Sequence, residues 1–201
     1  MTLPPAYFDS LYAKSADPWS LSSRWYERRK YDVTLASLPK PRFRNGFEPG
    51  CSVGVLSQGL AARCDQLLAT DVSAVAVATT RERLRDCPNV TVEQSSVPTQ
   101  WPKGEFDLIV LSEIGYYLVR SDLEVLVDRT VASLSADGVV AAVHWRHPVA
   151  DYPLTGDTVH EIIGTRVGLQ SLVSHVEPDF RLDVFARPAT RSVAAAEGLT
   201  P

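Results

Sequence analysis

Cysteine is scarce in this chain: three thiols, Cys51, Cys64 and Cys87, in 201 residues. They form neither an even set nor a Cys-x-x-Cys pair, so neither a disulfide framework nor a zinc site is indicated, and all three are expected to be reduced. No apolar run approaches the roughly 18 residues of a membrane span, and Met1 to Lys14 lacks a basic start followed by a long apolar stretch. A cytoplasmic location without a membrane partner is the expectation. There is no internal repeat, no His-Glu-x-x-His and no Gly-Lys-Ser/Thr of a phosphate loop. The pairs His144/His147 and Asp157/His160 lack the company of further ligands, so no metal is expected. Positive charge is also sparse outside one stretch. Residues 24 to 44 hold seven basic side chains against two acidic ones, a local excess of five, whereas the chain as a whole carries a net charge of -4. The rest is therefore acidic by nine charges, which argues against a nucleic-acid partner.

What is present is an ordinary globular composition, 45% hydrophobic and 22% charged, in a length that fits one domain. Tyr7 to Leu38 carries aromatic and basic residues at helical spacing and ends at Pro39 and Pro41, which predicts one or two leading helices. Short apolar runs then alternate with helical segments, the pattern of a mostly parallel sheet covered on both faces. The predicted strands are 45–48, 66–70, 90–94, 106–111 and 138–143. Ser121-Asp122-Leu123-Glu124 has the form of a capping box opening a helix that runs towards Leu134. Residues 169–176 and 180–186 are separated only by Glu177, Pro178 and Asp179, too few for a helical crossover, so they must pair antiparallel. The architecture expected is α/β: one Rossmann-like, doubly wound, seven-stranded mixed sheet with a C-terminal antiparallel hairpin and an N-terminal helical lid. Its bounds are residues 1–40 for the lid, 44–186 for the sheet core, and 187–201 for a flexible tail.

The most informative stretch is Glu48-Pro49-Gly50-Cys51-Ser52-Val53-Gly54, where an apolar strand ends in an acid and passes through small residues into a helix. Glycine there lets backbone approach a ligand closely. Seventeen residues beyond Gly54, the strand Leu67 to Thr70 ends in Asp71, placed to accept hydrogen bonds from both hydroxyls of a ribose. Ser52 and Val55 stand where a dinucleotide fingerprint needs its second and third glycines, so a pyrophosphate fits poorly. A nucleoside without phosphates remains, and Glu48 would repel a pyrophosphate while attracting a cationic amino-acid moiety.

These motifs resemble those of the Rossmann-like S-adenosylmethionine-dependent methyltransferases, whose first motif is commonly acid-x-Gly-Cys-Gly-x-Gly. Glu105 to Glu113 resembles the fourth-strand motif, and Leu134 to Gly138 the turn before the fifth strand. The third-strand end, Gln94-Ser95-Ser96-Val97, departs from the usual Gly-Asp. Ser96 with the Val97 backbone is the natural substitute at the adenine. Within that class, the chain resembles the rhizobial nodulation N-methyltransferases, which modify the free amine of a chito-oligosaccharide. Asp17-Pro18-Trp19 with Lys30 is similar to their cofactor lid, and Asp151 to His160 to their substrate-side segment.

The resemblance implies an S-adenosyl-L-methionine cofactor, held by Trp19, Lys30, Glu48, Gly50, Cys51, Gly54, Asp71, Val72, Ser96, Val97 and Ser112. Within the basic run, Lys30 first and Arg29 second would meet the cofactor carboxylate. Glu113, Tyr117 and His144 are the candidates for orienting or deprotonating the nucleophile. Tyr116, His147, Asp151 and His160 are the candidates for binding a small-molecule substrate, with Asp157 a candidate helix cap. Strand alternation puts His144 and Arg146 on one side of the fifth strand, Trp145 and His147 on the other. The expected reaction is methyl transfer to an amine nitrogen. O-methylation, or a cofactor-binding role without methyl transfer, are the alternatives. No oligomeric state is legible.

Overall fold

The fold was analysed in a computed structural model that describes residues 1–166, 168–188 and 190–200. Helices α1 (Pro5–Tyr12) and α2 (Trp25–Ser37) precede the sheet. Then come β1 (Phe43–Pro49), α3 (Val55–Ala61), β2 (Cys64–Asp71), α4 (Ala74–Arg83), β3 (Val90–Gln94) and β4 (Phe106–Ser112). A short 3-10 turn (Gly115–Tyr117) leads to α5 (Arg120–Ser133), β5 (Leu134–Trp145), α6 (Gly156–Gly164), β6 (Gln170–Val176), β7 (Phe180–Ala186) and α7 (Val193–Ala196). The seven strands lie in the order β3-β2-β1-β4-β5-β7-β6. β1 to β5 pair in parallel and β7 runs antiparallel to both β5 and β6.

Two-residue alternation builds the two faces. On central β4, every residue is buried. Ile109 and Leu111 join Phe47, Leu123, Leu126, Val140 and Ile163 under α5 and α6. Leu108 and Val110 join Tyr31, Leu56, Leu60, Leu67 and Val139 under α2 and α3. Each fully buried leucine or isoleucine contributes about 1.5–3 kcal/mol relative to exposure. β6, at the edge, has no fully buried residue.

Local chemistry differs from the sequence expectation at three places. The Ser121–Glu124 capping box does not form: α5 starts two residues earlier than that box would place it, Val119 is its N-cap, and no side chain of the helix caps it. Thr2 instead satisfies the N–H of the N-cap residue from a distance, its hydroxyl accepting from Val119 N (3.0 Å) and donating to Asp122. Asp157 is not the cap of α6. Thr155 is, accepting from Thr158 N, because Asp157 is drawn into a two-point pair with Arg146 (2.9 and 3.0 Å). β5 begins at Leu134 rather than Gly138, with a register shift against β4. Of the stretch read as a tail, Arg187 donates to the carbonyls of Val131 (2.6 Å) and Leu134 (3.2 Å), and Ser192 caps α7. Ala189 and Pro201 lie outside the described residues.

Candidate active site

Parallel β1, β2 and β4 end on the same edge, and α1 and α2 pass over it. Between them lies a cleft of about 600 Å3, the size of a small-molecule site. Its wall includes Trp19, Lys30, Glu48, Gly50, Cys51, Asp71, Val72, Ser96, Val97, Ser112, Glu113, Tyr116 and Tyr117.

At one end is the glycine turn. Gly50 has φ +77°, and a Cβ there would stand 2.2 Å from Ile114 Cγ2, so the position needs glycine both for its backbone and for the close approach of the β4 turn. Ser52 N donates to Asp71 Oδ2 and Ser73 N to Oδ1, both at 2.9 Å. Each carboxylate oxygen of Asp71 keeps a further lone pair for a ligand. Burial raises the Asp71 pKa, against these backbone donors. Glu48, 2% exposed, accepts the Ser57 hydroxyl at 2.5 Å, and burial pushes its pKa up to about 8. Gly54, also at φ +77°, opens α3 against Thr80 and is not part of the cleft wall. Ser96 and Val97 line the cleft, but the Ser96 N–H is already taken by Gln100 Oε1 (2.8 Å).

At the other end is a charged knot. Lys30 Nζ lies 2.5 Å from Glu113 Oε1 and 2.9 Å from Glu27 Oε2. Burial alone would lower the Lys30 pKa, but the two carboxylates outweigh it and hold it above its ordinary value. Glu113 adopts φ +57°, a left-handed backbone, and its Oε2 accepts from the Tyr116 hydroxyl and from Trp145 N (2.9 Å). Tyr116 stacks on Tyr152, and Tyr117 meets Tyr152 edge-on. Burial keeps the phenols of Tyr116 and Tyr117 well above their usual pKa.

The structure does not bring every predicted residue here. Lys30 reaches the cleft, but as an ion-pair partner of two acids rather than as a free cation. Arg29 is bound to Glu177 through both terminal nitrogens (2.7 Å each), away from the cleft wall. His144, Asp151, His147 and His160 are absent from the wall. His147 is half exposed and paired with Asp179 (2.7 Å), and Asp151 is exposed on the surface.

His144 and His160 are fully buried in a chain of their own. Gly115 N donates to His144 Nε2 (3.1 Å), which places the His144 proton on Nδ1, facing His160 Nε2 (3.2 Å). His160 Nδ1 then donates to Asp183 Oδ2 (2.6 Å), to which Arg181 Nε also donates (2.7 Å). Burial, then His160 and Lys30, hold the His144 pKa well below its usual value. Its bare nitrogen is spent on a backbone amide, so it is not a base for a ligand. The chain anchors the turn that carries Glu113 and Tyr116.

Sequence reasoning missed Tyr12, Tyr26, Glu27 and Trp145, all in the cleft wall, and gave no role of its own to Tyr152, which reaches the wall from the expected substrate-side segment. A signal was available for one of them: the buried face of α2 is Glu27, Lys30, Tyr31 and Thr34, at i, i+3, i+4 and i+7. A core-facing helical stripe containing two charges marks a polar site rather than a hydrophobic contact.

The sequence profile of the family described as Nodulation protein S (NodS) matches residues 10–150. The chain belongs to this family. Nodulation protein S of Rhizobium tropici is 34% identical over 103 residues, 51% of this chain and 43% of that protein. The same protein of Sinorhizobium fredii is 33% identical over 103 residues, 51% and 48% of the two chains. The chain thus spans about half the length of the curated NodS relatives it matches. Among solved structures, a putative methyltransferase from Pseudomonas syringae is 49% identical, over 82% of this chain and all of that one, with a TM-score of 0.74. The NodS N-methyltransferase of Bradyrhizobium japonicum WM9, solved with S-adenosyl-L-homocysteine, is 24% identical over 91% and 97% of the two chains, and its TM-score of 0.82 shows the shared fold.

The described residues include no group of three or more His, Cys, Asp and Glu able to hold a metal ion, and no helix long and apolar enough to cross a membrane.

Proposed function

We propose that the protein is an S-adenosylmethionine-dependent methyltransferase that acts on the amine nitrogen of a small molecule. The residues fit the cofactor. Asp71 has an acceptor lone pair left on each oxygen for the ribose diol, and Gly50, which the close approach of Ile114 keeps free of a side chain, leaves its backbone bare at the cleft wall. Val72, Ser96 and Val97 supply a wall for the base, Trp19 and Cys51 flank the nucleoside, and Glu48 faces the amino-acid end. Bound there, the cofactor supplies a methyl group on a sulfonium, already activated. What remains for the chain is to hold the acceptor at near-attack distance and exclude water.

One observation favours nitrogen over oxygen. Towards the acceptor end the carboxylates of Glu27, Glu113 and Asp179 line the cleft with Lys30 and Arg24, three acids against two bases, so the local balance is negative by one charge. An attacking amine gains positive charge as it is methylated, and a pre-set carboxylate such as Glu113 stabilises that charge. A hydroxyl must instead lose its proton to a base. The phenols of Tyr116 and Tyr117 are held protonated, and both ring nitrogens of His144 are engaged away from the cleft. Glu113, with three hydrogen bonds already accepted, acts as an orienting and charge-stabilising group; Tyr116, Tyr117 and Tyr152 form the wall on which the acceptor packs.

Product mass from a panel of amines and phenols tests this reading. Gain of one CH2 on amines only is the expected result. Gain on phenols only would replace it with O-methylation, and cofactor binding without transfer to any acceptor would replace it with a non-methylating role.

A further inference from the structure

Ser52 is one of three non-glycine residues with positive φ among the described residues, at +50°. Its neighbours at both ends of the turn, Gly50 and Gly54, take the same left-handed region at no steric cost. A serine here bears a strain that a third glycine would not, so its side chain needs an explanation. The Ser52 hydroxyl reaches out of the turn and lies 2.7 Å from the hydroxyl of Tyr12. Tyr12 is the one buried residue of α1 and packs with Val53 and Ala76. Its ring meets Trp19 edge-on at 5.9 Å. Burial and the nearby Asp71 carboxylate keep the Tyr12 phenol protonated, so its O–H persists across the ordinary pH range.

The backbone of Ser52 is tied just as firmly. Its N–H goes to Asp71 Oδ2 (2.9 Å) and its carbonyl accepts from Thr80 Oγ1 (2.7 Å). One residue therefore joins the leading helix, through Tyr12, to the acid that faces the ribose. Tyr12, Trp19, Ser52 and Asp71 all line the cleft.

We propose that the Tyr12–Ser52 hydroxyl pair is a latch that fastens α1 over the nucleoside end of the cleft, with Ser52 a positioning residue that couples lid closure to Asp71. This rests on the cofactor reading given above. A ligand leaving past α1 has to break that hydrogen bond first. The strain at Ser52 is thus retained for residence time of the ligand rather than for stability of the fold.

The test measures release of S-adenosyl-L-homocysteine by stopped-flow displacement, with thermal unfolding alongside, for the full chain and the variants Ser52→Gly, Ser52→Ala, Tyr12→Phe and Ser52→Gly/Tyr12→Phe. Each single variant is expected to speed release about fivefold, the worth of one neutral hydrogen bond. The double variant is expected to be no faster than either single one, since both remove the same bond. Ser52→Gly should release faster while its Tm is equal to or above that of the parent, a divergence that a purely structural role would not give. Ser52→Ala, which keeps the side chain's strain but loses the hydroxyl, separates the bond from backbone loosening. Unchanged release in the single variants, or effects of Ser52→Gly and Tyr12→Phe that multiply in the double variant, overturns the latch and leaves the cofactor reading intact. Failure of the parent protein to bind the ligand overturns both.

Discussion

Lys30 Nζ sits between the carboxylates of Glu27 and Glu113, 2.9 and 2.5 Å away, with only 3% of its side chain exposed. This places a cation at the centre of the acceptor end of the cleft, yet leaves it little capacity for a ligand carboxylate. Its task is to pair with two carboxylates that the fold brings together on one side chain.

Lys30→Met should therefore act on stability before it acts on the cofactor. Removing one partner of a buried ion pair costs about 3–5 kcal/mol because the other charge stays behind. Urea unfolding should show a loss of that size, smaller when Glu27→Gln accompanies it. Discrimination between S-adenosyl-L-homocysteine and 5′-methylthioadenosine, which lacks the amino-acid carboxylate, should stay as in the parent; a selective loss for the former would instead make Lys30 the carboxylate's partner.

Glu48 makes a pH prediction. Its pKa rises from 4.5 to about 8 on folding, by burial. The folded chain then binds more protons than the unfolded one between those values, so this group's contribution to stability falls as pH rises through that window. In Glu48→Gln that decline should disappear, and unfolding free energies measured from pH 5 to 8 should be flatter than in the parent.

The His144 chain predicts the opposite slope. A histidine whose folded pKa is depressed favours unfolding once pH falls below its unfolded value, 6.5. Stability should drop in acid in the parent and drop less in His144→Gln. His144→Leu leaves the Gly115 N–H and the His160 Nε2 without partners and should cost about 2–4 kcal/mol in urea unfolding at neutral pH.

The sheet was legible because its strands are short apolar runs bounded by turn residues: 90–94 and 180–186 were read to the residue, and β4 fell one short. Gly50 and Asp71 were legible as cleft residues for a related reason, since they stand at fixed offsets at the ends of consecutive strands. Long-range partners were not. Thr2 bonds Val119 N, the N-cap of α5, from 117 residues away, and nothing local at Ser121 signals it. Strand position alone makes His144 a site candidate, and the resemblance of the 151–160 segment makes His160 one. His160 meets Asp183 across 23 residues, and that pairing turns both rings inward. Lys30 was placed in the cleft, but its charge balance depends on Glu113, which only the folded chain brings to it.

The central claim, a nucleoside cleft closed by Asp71, is tested most directly by calorimetric titration of S-adenosyl-L-homocysteine into the parent protein and Asp71→Ala. Loss of two hydrogen bonds to a charged acceptor corresponds to about a hundredfold weaker binding or more. The account predicts saturable one-to-one binding by the parent and that loss in Asp71→Ala with the fold intact. No binding by the parent, or equal affinity in the variant, would contradict it.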